Sequence, residues 1–98
     1  MVQNYELIFV LRPDLEEADT EKAVDRFLAL IENHGGTAHN VDKWGKRKLA
    51  YEVKGYREGY YVVVNFSGDA ALSAELTRVL RIADDVIRHL LVREGEDE

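Results

Sequence analysis

The chain has 98 residues, 13 Lys plus Arg against 19 Asp plus Glu, a formal net charge of −6 and no cysteine. At this length one domain is expected, and the cysteine count excludes disulfides, cysteine-held zinc and thiol nucleophiles together. With 46% hydrophobic and 33% charged residues, the composition fits a soluble domain with one modest core; Met1 to Asn4 has no basic start and Leu7 to Leu11 is too short for a signal core or membrane span, so the expected compartment is the cytoplasm.

Tyr5 to Leu11 is short, rich in β-branched and aromatic residues and closed by Arg12-Pro13, which predicts a first strand. Asp14 with Glu17, or Asp19 with Thr20, offers N-cap chemistry before an apolar stripe at Val24, Phe27, Leu28 and Ile31. The spacing predicts a helix over Glu16 to Asn33, stopped by Gly35-Gly36 through a left-handed cap. Thr37, His39 and Val41, then Arg47, Leu49, Tyr51 and Val53, alternate with polar residues around Trp44-Gly45. This predicts one long second strand with a bulge at the glycine. Gly55 to Gly59 is expected to turn into a third strand, Tyr60 to Phe66. Ser67-Gly68-Asp69 can cap a second helix with an apolar face of Leu72, Leu76, Val79 and Leu80, ending near Asp84-Asp85. A last strand, Val86 to Val92, completes a single domain over residues 1–93, and residues 94–98 form an acidic tail expected to be mobile.

The order βαββαβ predicts an α+β, ferredoxin-like architecture: a four-stranded antiparallel sheet with both helices on one face. Two helices cover only one face of a sheet. With strands one and three central, Ile8, Val10, Tyr61 and Val63 form an apolar stripe on the other, a candidate docking surface. Polar side chains from the edge strands could instead lie over it.

The net charge alone argues against a polyanionic partner, but its distribution is uneven. Asp14 to Glu32 holds seven acids and two bases and Glu94 to Glu98 four acids, whereas Val41 to Arg57 holds six bases and two acids. Trp44-Gly45-Lys46-Arg47-Lys48, then Lys54 and Arg57, interleave with Tyr51 and Tyr56. Cations gain phosphate affinity by counterion release and aromatic rings stack on unpaired bases, so this hairpin is a candidate RNA-binding element. Lysines guarding an edge strand are the plainer explanation. Arg78, Arg81 and Arg88 could extend the positive surface.

Support for catalysis is thin. Ser67 and Ser73 have no nearby His or glycine-flanked elbow. His34, His39 and His89 lack metal-ligand spacing. Gly55 and Gly59 bracket a hairpin turn rather than precede a helix, so no phosphate cradle is present. Asp84-Asp85, at a helix end, suits a turn better than a carboxylate pair. No enzyme activity, metal, cofactor, small-molecule substrate or membrane partner is therefore expected.

The run Trp44-Gly45-Lys46-Arg47-Lys48-Leu49-Ala50-Tyr51-Glu52-Val53-Lys54 resembles the signature of the family of the sixth protein of the bacterial small ribosomal subunit. Tyr5-Glu6, Arg12-Pro13-Asp14, Leu80-Arg81-Ile82, Asp84 and Val86-Ile87-Arg88 resemble the same family, and the match runs from Met1 to Arg93. Lys48 stands where members more often carry an uncharged or acidic residue. The resemblance implies a non-catalytic component of the 30S subunit that binds the central domain of 16S ribosomal RNA as a heterodimer with the eighteenth small-subunit protein. It suggests Lys46, Arg47, Lys48, Arg78, Arg81 and Arg88 as RNA-binding residues. Trp44, Ile8, Val10, Tyr61 and Val63 would face the protein partner. Arg47 shares its strand phase with Leu49 and Tyr51. The competing class is a ligand-sensing regulatory module of the same fold, acting as a homodimer.

Overall fold

The pattern assembles in a computed structural model that describes residues 1–95; Glu96, Asp97 and Glu98, within the tail expected to be mobile, lie outside the described residues. The elements are β1 (Gln3–Leu11), α1 (Glu17–Asn33), β2 (Thr37–Val53), β3 (Tyr56–Gly68), α2 (Ala70–Ile82) and β4 (Val86–Arg93). Adjacent strands pair antiparallel in the order β2-β3-β1-β4, so each helix crosses between strands separated by a strand of the other unit. This is the ferredoxin-like arrangement that the element order predicts.

Alternation along the central strands sends Tyr5, Leu7, Phe9 and Leu11 of β1, with Val62, Val64 and Phe66 of β3, into one buried cluster with Phe27 and Ile31 of α1 and Leu72, Leu76 and Leu80 of α2. Phe9 meets Phe27 edge to face at 5.1 Å, and Tyr5 stacks on Phe66 at 5.2 Å. Burying these side chains contributes about 1.5–3 kcal/mol each relative to leaving them in water. Both helices lie on this side.

The helix ends follow local chemistry, with one departure. Asp69 caps α2, its carboxylate accepting from the Leu72 amide at 2.9 Å. At the end of α1, Gly35 takes φ +84° and the Gly36 amide donates to the Ile31 carbonyl. At its start, neither expected cap forms. Glu16 holds the N-cap position without a side-chain cap bond, Thr20 Oγ1 donates to the Glu16 carbonyl, and Asp14 is taken by Arg12 through two hydrogen bonds. An Arg two residues away outcompetes backbone amides for this carboxylate because both partners are charged.

β2 is more irregular than simple alternation predicts. The bulge at Gly45 is present, with φ +83° and a register shift after Lys43. A second shift leaves His39 opposite no partner, so Ala38 and Val41, three apart, both pack on the core. Beyond Lys48, which faces Glu58, pairing lapses until Val53 meets Tyr56. The turn itself is two residues, Lys54 (φ 52°) and Gly55 (φ 86°), and β3 begins at Tyr56 rather than Tyr60. Two successive positive φ values match the twist of a two-residue hairpin.

Gly59 therefore lies within β3. A Cβ there would overlap Val10 Cγ1 and lie 3.3 Å from both Ile87 Cδ1 and the Leu11 carbonyl oxygen. The lengthened hairpin continues past the end of β1 and bends toward β4, where Lys54 Nζ donates to the Val86 carbonyl at 3.5 Å. Asp85 holds the adjoining turn. Its carbonyl accepts from the Arg12 amide, and its carboxylate accepts from Arg26 at 2.9 Å.

Gly59→Ala should cost about 1–3 kcal/mol through overpacking, whereas Asp69→Ala should cost about 1 kcal/mol through the lost cap. Urea unfolding midpoints measure both, and an unchanged midpoint for Gly59→Ala would contradict the close approach of Val10.

Candidate nucleic-acid interface

The sheet face without helices has a polar end and an apolar end. At the polar end Asn40 donates to Asn65, Asn65 donates to Glu94 at 3.0 Å, and His39 and Ser67 are in hydrogen-bond contact. The Glu94 amide also donates to the Asn4 carbonyl. At the other end, Ile8 pairs with Val63 and Leu90, and Val10 pairs with Tyr61 and Arg88. Trp44 stacks on Tyr61 at 6.1 Å with 13° between planes, and its indole donates to Asp42.

Only part of the expected stripe is open to solvent. Val10 and Val63 are 2% and 6% exposed, while Ile8 and Tyr61 are half-buried. Ile87, also buried, lies beside Val10 under the hairpin end, so a small second core forms on this face. The exposed apolar groups are Trp44, Leu90 (56% exposed) and Val92. Leu90 and Val92 were missed in the sequence because the apolar run Leu90-Leu91-Val92 does not by itself show which of its residues face the helices. Their alternation with His89 and Leu91 was the available signal. A groove of about 310 Å³ runs beside Ile8, Tyr61, Arg88 and Leu90.

The predicted cations do not gather on one face. By register, Lys46 and Lys48 follow the helix side of β2, opposite Tyr60 and Glu58, and Arg47 follows the open side, opposite Gly59, with its guanidinium donating to the Lys46 carbonyl. Arg78 is held by Glu75 through bonds of 3.0 and 2.7 Å, which lower the Glu75 pKa and raise that of Arg78. Arg81 lies in the last turn of α2, and Arg88 on the open side of β4.

The curled hairpin instead makes a basic corner. Lys54 reaches β4, and Arg88 donates to Tyr51 Oη at 3.3 Å with its guanidinium 5.7 Å from that ring's centre. The His89 pKa is lowered first by burial, then by the charges of Arg81 and Lys54. The sequence names Lys54 and Tyr51 within the basic hairpin but not beside Arg88, because β2 and β4 are opposite edges of the sheet and only the bend joins them.

Among the described residues no group of three or more His, Cys, Asp or Glu could hold a metal ion, and no helix is long and apolar enough to cross a membrane. What this corner offers is Lys54 against β4, Arg88 against an exposed aromatic ring, and an adjoining apolar strip. Such a surface suits a polyanion and a protein side by side.

Comparison with known proteins agrees along the chain. The family model described as Ribosomal protein S6 matches residues 4–93. The small ribosomal subunit protein bS6 of Moorella thermoacetica is 53% identical over 96 residues, covering 98% of each chain. That of Carboxydothermus hydrogenoformans is 49% identical, covering 98% of this chain and all of its own. The crystal structure of 30S ribosomal protein S6 from Thermotoga maritima superposes with a TM-score of 0.91 at 33% identity, covering 96% of this chain and 89% of that one.

Because His89 resists protonation in the folded state, its ordinary value near 6.5 belongs to the unfolded chain, which binds the proton first as pH falls. Stability is therefore full above that value and declines as pH drops through the lower folded value. His89→Gln should flatten this part of the acid limb, read from urea midpoints between pH 7 and 5. An identical slope in the variant would remove His89 from the acid response.

Proposed function

The chain belongs to the ribosomal protein S6 family, and on that premise we propose that it binds the central domain of 16S ribosomal RNA as a heterodimer with the eighteenth small-subunit protein. It is a structural protein of the small ribosomal subunit, not an enzyme, and works in the bacterial cytoplasmic ribosome.

The observation that carries this proposal is the juxtaposition made by the hairpin end: Lys54 on β4 and Arg88 under Tyr51, next to exposed Leu90 and Trp44. In this proposal Lys54, Arg81 and Arg88 contact phosphates, and Lys46, Arg47 and Lys48 extend the contact along β2. Arg78 is a weaker contributor because Glu75 already neutralises it. Trp44, Tyr61, Ile8, Leu90 and Val92 meet the protein partner, with Val10 and Val63 supporting them from beneath. The acidic residues of α1 lie behind the sheet, while Lys46 and Lys48, on the same side but on the edge strand β2, reach RNA around that edge. A basic partner would supply phosphate neutralisation that a chain of net charge −6 lacks.

Filter binding of a central-domain RNA fragment, with the partner present and salt varied, tests the RNA half. Charge reversal at Lys46, Lys54 or Arg88 should weaken binding and reduce the salt slope by about one per lost phosphate contact. Leu90→Asp should weaken association with the protein partner, read by calorimetry without RNA. Unchanged affinity and salt slope on reversing both Lys54 and Arg88 would overturn the phosphate assignment.

A further inference from the structure

We propose that Tyr51 is a stacking platform for one unpaired base of the bound RNA, with Arg88 as the positioning residue that orients its ring. The inference rests on the RNA-binding proposal above and adds the part of the nucleotide that this corner recognises.

Three features of Tyr51 lead to it. The residue is 63% exposed, one of the large rings that the fold leaves open to solvent. It stands where the ladder lapses: between the Lys48–Glu58 and Val53–Tyr56 pairs, Leu49 to Glu52 face Arg57 alone. Finally, the ring is fixed, since Arg88 binds its hydroxyl and places a guanidinium 5.7 Å from its centre. Among the described residues no other aromatic ring stacks on it.

A fixed ring with an unstacked face is prepared for a planar group. The surroundings select which one: a groove of about 460 Å³ beside Tyr51 is bordered by Leu49, by the cations Lys48 and Arg57 and by the carboxylates Glu52 and Glu58, while Arg88 binds the Tyr51 hydroxyl. An apolar protein side chain would desolvate those cations without compensating them. A nucleotide offers the ring a base and offers Lys48, Arg57 and Arg88 a phosphate, which Glu52 and Glu58 steer toward the cations. A base inside a duplex has no free face, so the platform takes a base from a loop, bulge or end.

The test uses the full chain with its protein partner and a transcribed central-domain fragment of 16S ribosomal RNA, with affinity followed across salt concentrations. Tyr51→Leu should lose roughly ten- to hundredfold in affinity with an unchanged salt slope, because a neutral ring releases no counterion. Tyr51→Phe and Tyr51→Trp, which keep a ring beside Arg88 but lose the hydroxyl bond that orients it, should fall between the parent and Tyr51→Leu. Unfolding midpoints of all three identify any variant that fails to fold, and the Phe and Trp variants keep the comparison decisive if the Leu variant does. Equal affinities for a folded Leu variant and the parent would overturn the platform. So would a Phe or Trp variant that is folded yet as weak as Leu. If Lys54 and Arg88 reversals weaken binding while folded Tyr51→Leu does not, only the platform fails; if the reversals have no effect either, the RNA-binding proposal fails with it.

Discussion

A four-stranded sheet has two faces, and this chain places both helices on one of them. Everything on the other side follows from that imbalance. β1 and β3 are central and cannot avoid presenting Ile8, Val10, Tyr61 and Val63 away from the helices. The chain covers part of this apolar surface itself by lengthening the β2–β3 hairpin and bending it toward β4. Gly59 permits the approach, because any side chain there would occupy the place of Val10. What stays uncovered, around Trp44 and Leu90, is a surface suited to another molecule.

The same bend organises the electrostatics. Basic residues distributed along β2 would make only a diffuse edge, with successive side chains on opposite faces. Folding the tip onto β4 brings Lys54 to the Val86 carbonyl and Tyr51 to Arg88, and His89 feels the charges of Lys54 and Arg81. Several other charges are matched within the chain: Lys43 with Glu21, Arg26 with Asp85, Arg12 with Asp14 and Arg78 with Glu75. Such exposed pairs add little to stability. Their larger effect is to reduce stray charge elsewhere, leaving the corner as a concentrated positive feature on an acidic molecule.

Much of this was legible in the sequence. The apolar spacings of α1 and α2, the alternation of β1 and the glycine at the β2 bulge are local signals, and each element stands where its signal does. The α1 N-cap was not legible, because Asp14 had two possible partners and only the fold chooses between a backbone amide and Arg12. The second bulge at His39 was hidden for a related reason: Thr37, His39 and Val41 alternate acceptably by themselves, and only Phe66 and Val64 decide that Ala38 and Val41 face inward. The candidate site was legible as residue types rather than as a place. Lys46, Arg47, Lys48, Arg81 and Arg88 were visible as cations, but their grouping depends on contacts between opposite sheet edges that no local pattern records.

The uneven placement of charge has a kinetic meaning beyond affinity. A molecule of net charge −6 is repelled at long range by a polyanion, yet its acidic α1 and its basic corner also give it a dipole. In the nonuniform field near RNA, a dipole experiences a torque before contact is made. Approaches that lead with α1 are turned away, and those that lead with the hairpin are drawn in, so the encounter is filtered for orientation while the partners are still separated by water. Screening by salt shortens the range over which this turning operates. On the proposed RNA contact at the hairpin, the acidic helix would act in assembly without touching RNA, by making the wrong approaches short-lived.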